Sequence, residues 1–370
     1  MDHNPVTHIH SNQPGTRSVA IACQGGGSHT AFTAGLLTGV LPHLSRRGYR
    51  VIALSGSSGG AICALLAWGA LVQHGRGNNL SSELQSLRDF WRASAARTPW
   101  ERAWNDWVIA LRCLQLNGTV PELRTSPYAP TTEAFEDLLT RTAPRPEFFD
   151  LRRLLEDHAP EHLLGQTIVE PRLLVSAVDV LSGRFKLFDS SVGEITVNAL
   201  LASCALPSLY QAQRVNGAIY WDGLFSQNPP VHDLVSVPKG QVKPDEIWLV
   251  RINPRERNHE PRSASEIEDR RNELGASISL HQELRFIDRV NQWLKDGTLR
   301  SAEHKPITVR ELEMDHEISA GLGYSSKLNR SPRLLDRLFE HGIDRAHRFV
   351  ERLPSVIPAE ESGQPALRHS

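Results

Sequence analysis

The stretch that most constrains this chain is a serine-bearing turn between an apolar strand and an apolar helix. Val51–Leu54 has the residues of a buried strand, and residues 61–68 continue as an apolar helix. Between them, Gly56-Ser57-Ser58-Gly59-Gly60 fits the pattern Gly-x-Ser-x-Gly, with Ser58 at its centre. Such a turn lifts a serine hydroxyl clear of the backbone at a helix N-terminus, where negative charge is favoured. The pattern predicts that Ser58 is a nucleophile held between Gly56 and Gly60.

Other serines in the turn are weaker candidates, since neither Ser55 nor Ser57 has glycines two residues away on both sides. Thirty residues earlier, the apolar strand 17–23 ends in Gly25-Gly26-Gly27, and an apolar helical pattern follows. Residues 17–54 therefore predict a β–loop–α–β unit with parallel strands. Loops at the carboxyl ends of adjacent parallel strands share one crevice, so the amides of the three glycines are candidate donors to an oxyanion.

Nucleotide binding is the competing interpretation of these glycines. The dinucleotide pattern Gly-x-Gly-x-x-Gly meets Thr30 at its last position, and the Gly-Lys-Ser/Thr sequence of a Walker loop is absent. No calcium-loop pattern occurs, and Cys23, Cys63, Cys113 and Cys204 lie far apart without a Cys-x-x-Cys pair. We therefore expect no cofactor and no metal, and we interpret the cysteines as free, buried thiols of a reducing compartment.

Bulk properties narrow the function further. The chain has 370 residues, 22% of them charged, and a formal net charge of -1, so no charge excess indicates a nucleic acid partner. The N-terminus lacks the pattern of a secretory signal, and the longest apolar run, about residues 61–72, is too short to span a bilayer. We expect a soluble cytoplasmic protein of undetermined oligomeric state, with peripheral or transient membrane contact left open.

The remaining patterns predict one domain over residues 17–352, with a flexible tail over 1–16 and a disordered one over 353–370. A helical insertion is expected over about 82–145, helices over about 273–352, and an exposed loop over 253–272. Trp100, Trp104 and Trp107 recur at helical spacing within the tryptophan-rich segment 91–107. That segment is either an amphipathic helix packed on the core or a cap over the active site that meets lipid.

A base must accompany the serine. Histidine is the usual partner, and His232 beside Asp233 is one candidate. Asp222 is more suggestive, because it ends an apolar strand, is followed by Gly223, and precedes Asn228-Pro229. A carboxylate is a poor base at neutral pH unless its site is desolvated. Chain order also argues against the ordinary triad enzyme, since only one βα unit precedes Ser58.

These motifs together resemble the patatin-like phospholipase family, in particular its bacterial lipid acyl hydrolases. The resemblance rests on the three glycines, the Ser58 turn, Asp222-Gly223 with Asn228-x-Pro230, and the stretches Val178–Gly183 and Ala202–Pro207. It covers about residues 17–235. It implies a three-layer α/β/α fold with a mainly parallel central sheet and a helical cap-like insertion. It also implies a Ser58–Asp222 dyad without histidine, an acyl-enzyme intermediate, and an oxyanion hole at Gly25, Gly26 and Gly27.

Two positions depart from the family pattern. The family usually carries Lys or Arg two residues after the third glycine, followed by Gly, where this chain has His29 and Thr30. Leu224 follows Asp222-Gly223, where Gly or Ala is common. The leading hypothesis is a lipase- or phospholipase-type enzyme acting on lipid or other carboxylic esters. A Ser–His–Asp esterase and a catalytically silent lipid-binding protein on the same fold are the alternatives.

Overall fold

The computed structural model describes residues 16–116, 118–120, 126–207, 209–237, 241–257, 259–300, 304–323 and 325–356. The predicted N-terminal tail over residues 1–16 therefore lies almost wholly outside the described residues. Of the predicted C-terminal tail over 353–370, residues 357–370 lie outside them. Residues 353–356 still belong to the packed structure, because Leu353 is buried and the Val356 N–H donates to Arg47 O at 3.0 Å.

One eight-stranded sheet organises the chain. Its strands are β1 (Arg17–Cys23), β2 (Tyr49–Gly56), β3 (Arg172–Asp179), β4 (Phe185–Asp189), β5 (Gln213–Val215), β6 (Ala218–Asp222), β7 (Glu246–Arg251) and β8 (Thr308–Glu313). The order is β5-β6-β3-β2-β1-β7-β8, and β4 also pairs with β3. Five strands that are consecutive in the sheet, β3, β2, β1, β7 and β8, run parallel to one another. Strands β4, β5 and β6 are antiparallel to their neighbours. The prediction of a mainly parallel sheet is confirmed.

Helices cover both faces of this sheet. They are α1 (Ala31–Val40), α2 (Gly59–Gly75), α3 (Leu80–Glu83), α4 (Gln85–Ser94), α5 (Pro99–Leu116), α6 (Pro130–Thr142), α7 (Leu151–His158), α8 (Val197–Ser203), α9 (His232–Val235), α10 (Ala264–Gly275), α11 (Ile278–Lys295), α12 (His316–Ser319) and α13 (Pro332–Arg352). Short 3-10 turns lie between several of them, including Gly27–Thr30 and Ser325–Leu328.

Alternation along the central strands divides the core into two layers. Val19, Ile21 and Cys23 of β1 face the larger core with α1, α2 and α13, while Ala20 and Ala22 face the smaller core with α9 and α11. Both faces of the sheet are thus buried at its centre, and the central parallel strands β1, β2, β3 and β7 are mostly apolar, whereas the edge strand β8 is mostly polar. The predicted three-layer α/β/α fold is confirmed.

Helix α13 packs unusually closely on α1. A Cβ added to Gly35 would lie 1.9 Å from Phe339 O, and one added to Gly342 would lie 2.2 Å from Phe32 O. Glycines at these two positions therefore let the two backbones touch. The apolar residues of α13 recur at helical spacing, so one face of the helix is buried along its whole length.

The prediction of an exposed loop over 253–272 is wrong. Helix α10 begins at Ala264, where a capping box joins Ser263 and Glu266, and Asn253 at the start of the segment is buried. Proline and the many charges obscured this signal, because the helix is held by its cap and by ion pairs rather than by an apolar stripe. Arg257 and Arg270 both pair with Glu273 on α10.

Candidate active site

The turn that carries Ser58 joins the end of β2 to the start of α2. Ser58 has φ 53° and ψ -131°, a strained backbone conformation for a residue with a side chain. Gly60 next to it has no room for a side chain, since an added Cβ would lie 2.3 Å from Cys23 O of β1. The turn therefore packs directly on the neighbouring strand and presents Ser58 at the N-terminus of a 17-residue helix.

Asp222 meets this turn because of how three strands pair. Strand β4 occupies one side of β3, so β2 and β6 share the other side, end to end. Gly56, the last residue of β2, pairs with Val175, and Asp222, the last residue of β6, pairs with Ala177. The two strands thus point towards each other along β3, and Ser58 and Asp222 extend from their facing ends.

The Asp222 carboxyl is buried, with a relative exposure of 2%. Burial raises its pKa to about 7, while the hydrogen bond from the Leu224 N–H and the nearby Ser58 hydroxyl act in the opposite direction. The Leu224 N–H lies 2.8 Å from Asp222 Oδ1 and caps the short turn that follows β6. A carboxylate with a pKa near neutrality can accept a proton at physiological pH and release it again.

The other serines of the turn have structural partners. The Ser57 hydroxyl is buried 2.5 Å from Ser176 Oγ and donates to Gln227 O at 2.6 Å. The Ser55 hydroxyl donates to Pro230 O at 2.6 Å. His232, the alternative base, is exposed on α9, where its Nε2 lies 3.0 Å from Ser236 Oγ. Among the described residues, no histidine lines the cavity that contains Ser58.

The glycine loop lies across from the turn, at the end of β1. The Gly25 N–H is already engaged, because it donates to Asn228 Oδ1 at 2.7 Å. Gly26 and Gly27 open a 3-10 turn, and Gly59 opens α2, so their N–H groups precede the first hydrogen bonds within these elements. The role predicted for Gly25 stays a prediction. Its amide would have to leave Asn228 in order to reach an oxyanion.

A cavity of about 730 Å³ opens above these groups. Ser58, Asp222 and the glycine loop form its polar end, and apolar side chains from the helices between β2 and β3 form most of its walls. The apolar lining includes Ile62, Phe90, Trp104, Phe135, Leu139 and Phe148. The segment predicted as a cap therefore borders the cavity, with Trp104 on its wall. Trp100 and Trp107 remain 40% and 54% exposed rather than buried in the core.

A family model of the patatin-like phospholipases matches residues 21–235. The chain belongs to the patatin-like phospholipase family. A comparison with curated protein sequences gave no significant match. The matched segment contains the glycine loop, the Ser58 turn, the helical insertion and Asp222, and it ends before β7.

Two solved structures are similar to this patatin-like protein in outline. VipD from Legionella pneumophila is 11% identical with a TM-score of 0.39, over 91% of this chain and 67% of VipD. The ExoU–SpcU complex from the type III secretion system of Pseudomonas aeruginosa gives 19% identity and a TM-score of 0.28. That match covers 91% of this chain and 53% of the other, so this chain spans about half of that length.

The patatin-like site also contains residues to which the sequence assigned no role. The Ser58 N–H donates to Ser203 Oγ at 3.0 Å, which connects the Ser58 turn to the end of α8. The adjacent Cys204 thiol interacts with Ser58, and burial together with the Asp222 carboxylate raises the pKa of Cys204 well above its usual value. The thiol therefore stays protonated. Their stretch, Ala202–Pro207, carried the family resemblance but no chemical signature of its own.

The described residues contain no group of three or more His, Cys, Asp or Glu side chains placed to hold a metal ion. Among their helices, none combines the length and the apolar composition that a transmembrane crossing requires. Cys23, Cys63 and Cys204 are buried free thiols, as predicted, whereas Cys113 is partly exposed.

Proposed function

We propose that this protein is a serine hydrolase that cleaves carboxylic esters of lipids through a Ser58–Asp222 dyad. The observation that carries the proposal is the meeting of these two side chains at the polar end of a mainly apolar cavity. The pKa of about 7 at Asp222 supports a carboxylate base, which would be ineffective at its ordinary pKa. The exposed position of His232 disfavours it as the base of a triad.

Acylation would begin when the Asp222 carboxylate accepts the Ser58 proton. The Ser58 oxygen then attacks the ester carbonyl, and the amides of Gly26, Gly27 and Gly59 face the negative oxygen of the tetrahedral intermediate. As that intermediate collapses, the ester C–O bond breaks and Asp222 returns the proton to the leaving alcohol. The products of this half-reaction are an acyl-serine and a free alcohol.

Deacylation repeats the same proton transfers with water. Asp222 accepts a proton from a water molecule, whose oxygen attacks the acyl carbonyl, and the proton then passes to the Ser58 oxygen as it leaves. The strained backbone of Ser58 and its N–H bond to Ser203 Oγ keep the nucleophile in one position through both halves.

A lipid substrate is favoured by the walls of the cavity. Its volume of about 730 Å³ falls in the range of pockets that enclose most of a medium-sized ligand. The aromatic and aliphatic lining suits an acyl chain better than a polar substrate such as a sugar or a peptide.

The rim of the cavity supports contact with a lipid surface. Trp107 of α5 is 54% exposed, and Phe135 and Leu138 of α6 are 46% and 55% exposed. Trp104 packs against both Trp107 and Phe135, so the exposed aromatic surface continues into the cavity wall. Tryptophan suits the boundary between water and lipid, which favours the membrane interpretation of the segment 91–107.

Labelling with a fluorophosphonate probe tests the nucleophile. We expect wild type to be labelled, Ser58→Ala to be unlabelled, and Asp222→Asn to be labelled much more slowly. His232→Ala should hydrolyse a soluble p-nitrophenyl ester at the wild-type rate. Labelling that persists in Ser58→Ala would rule out the nucleophile assignment, and loss of turnover in a folded His232→Ala would favour a triad. A labelled Ser58 with no turnover of any ester would favour the lipid-binding alternative.

A further inference from the structure

The glycine loop of this protein carries no positive charge of its own. Position 29, where the family usually has a basic residue, holds a histidine that is 3% exposed, with its Nε2 2.8 Å from Ser326 Oγ. Burial lowers the pKa of His29 to about 3, and the nearby Lys327 ammonium adds to this effect. The imidazole is therefore neutral at any pH at which the enzyme would work.

Lys327 comes to the same loop from the C-terminal part of the chain. It lies in the 3-10 turn Ser325–Leu328, whose backbone packs so closely on the loop that a Cβ added to Gly27 would lie 2.4 Å from Lys327 O. Lys327 also borders the cavity that contains Ser58. The turn thus packs the backbone of Lys327 against the glycine loop and places the residue on the border of the cavity.

A chain of hydrogen bonds connects the Lys327 ammonium to the loop. Lys327 Nζ donates to Asn253 Oδ1 at 2.7 Å, and the Asn253 N–H donates to Gln24 Oε1 at 2.9 Å. Gln24 directly precedes Gly25 and also donates to Asn228 O at 3.3 Å. The ammonium is therefore held beneath the loop by side chains that also fix the loop itself.

We propose that Lys327 supplies the fixed positive charge beside the oxyanion site that the glycine loop lacks. This inference rests on the proposed function. A charge that is already in place stabilises a developing oxyanion without having to reorganise, and it acts strongly where water is largely excluded. Lys327 does so at a distance, through its field and through its hold on the loop, and is a positioning residue rather than a catalytic one.

Other charged groups face Lys327. The carboxylates of Glu273 and Asp269 on α10 raise its pKa, but burial outweighs them and lowers the pKa of Lys327 to about 8. Glu273 is itself paired with Arg257 and Arg270, which offset part of its negative charge. The lysine charge is thus retained at neutral pH and lost in mildly alkaline solution.

These groups give the expected pH profile of kcat/KM. Activity should rise as Asp222 deprotonates through pH about 7 and fall as Lys327 loses its charge through pH about 8. The result is a narrow maximum between the two values. Without the Lys327 contribution, the rate would stay level above pH 8 until another group titrated.

The test compares Lys327→Met and Lys327→Arg with wild type, using a soluble p-nitrophenyl ester over a range of pH. We expect Lys327→Met to lower kcat about 10- to 100-fold, with little change in KM and no fall in rate above pH 8. Lys327→Arg should keep most of the activity and move the alkaline fall to higher pH, since a guanidinium stays charged. Lys305→Met is the matched control, because Lys305 pairs with Asp245 just before β7, at the amino ends of the parallel strands and therefore away from the glycine loop.

A rescue variant separates charge from packing. His29→Arg in the Lys327→Met background returns a cation to the loop itself, and we expect it to recover several-fold in kcat. Thermal unfolding of each variant shows whether it is folded. If Lys327→Met is folded and turns over at the wild-type rate while Ser58→Ala is inactive, the role of Lys327 is overturned. An alkaline fall left unchanged in Lys327→Arg would also overturn it. Turnover that does not depend on Ser58 would instead overturn the proposed function.

Discussion

The Ser58 turn and the helices of residues 80–158 lie on opposite sides of one cavity, and they are built differently. The turn side consists of short hydrogen bonds and backbone contacts, such as Ser57 Oγ to Gln227 O at 2.6 Å and Gly25 N to Asn228 Oδ1 at 2.7 Å. The helical side consists of aromatic and aliphatic side chains, several of them exposed. The first side holds Ser58 and the glycine loop in fixed positions, and the second offers an adaptable apolar surface. Single-atom changes should therefore be costly on the first side and mild on the second.

The largest effect is expected for Asp222→Asn, which should lower kcat by about 1,000-fold or more because an amide cannot accept the serine proton. The same substitution should stabilise the protein. The raised folded-state pKa of Asp222 means that its contribution to stability is full at acidic pH and is lost as pH rises through about 7. Asparagine does not ionise, and its oxygen can still cap Leu224.

Thermal or urea unfolding at pH 5 and pH 8 checks the second half of this prediction. The free energy of unfolding of Asp222→Asn should exceed that of wild type by more at pH 8 than at pH 5, and the difference should be about 1–3 kcal/mol. A gain that is equal at both pH values would show that Asp222 does not carry the raised pKa on which the mechanism depends.

Gly26→Ala should lower kcat by about 100-fold, because an added Cβ would lie 2.5 Å from Ile252 Cγ2 and would displace the loop that faces the oxyanion. Adding Ile252→Ala should restore part of the rate by making room. Gly75→Ala, at the far end of α2 with no atom within 4 Å of the new methyl group, is the control and should leave kcat unchanged. Equal rates for Gly26→Ala and wild type would show that the glycine loop does not stabilise the oxyanion.

Ser57→Ala should affect stability rather than chemistry. It removes a buried hydroxyl that bonds Ser176 and Gln227, at a cost of about 1–3 kcal/mol in the free energy of unfolding. The neighbouring Ser58→Ala should cost little stability and all of the activity. Chemical denaturation beside an activity assay compares the two adjacent serines. The assignment of their roles fails if Ser57→Ala is the inactive one when folded.

The smallest effect is expected on the helical side. Trp107→Ser should lower turnover of phospholipid in vesicles several-fold, while hydrolysis of a soluble ester stays at the wild-type rate, because Trp107 is on the rim and not at the chemistry. Trp293→Ser is the control, since Trp293 is 36% exposed on α11 and does not border the cavity. Equal losses in both variants, or a loss on the soluble ester, would contradict membrane contact through α5.

What the sequence could predict depends on whether the requirements of a feature are local or come from distant residues. The Ser58 turn is predictable because its requirements are local: a strand, small residues, a serine and a helix within about twenty positions. The apolar strands predicted a parallel βα unit over residues 17–54, and the family resemblance implied the three-layer α/β/α fold. Local residues made Asp222 a candidate base, but its pairing with Ser58 rested on the family resemblance, since nothing local shows that β6 ends opposite β2 along β3.

Two residues that reach the site from distant parts of the sequence were not predicted. Ser203 and Lys327 contact residues 145 and 300 positions away, Ser58 and Gly27. Ser203 lies in a stretch that resembles the family but has no chemical signature of its own, and Lys327 lies in no recognisable motif. Helix α10 was missed for a different reason. Its capping box at Ser263 and Glu266 was present in the sequence, but a low apolar content concealed the helix that it starts.

The close packing of α13 on α1 determines which fragments of this chain can fold by themselves. The family match ends at residue 235, yet the backbones of α1 and α13 touch at Gly35 and Gly342. A fragment cut at 235 would lose β7 as well, and would leave β1 as an open sheet edge beneath an uncovered helix. The region that defines the family is therefore not a folding unit in this chain. Helix α1, which follows the glycine loop, is covered by a helix that is made about 300 residues later.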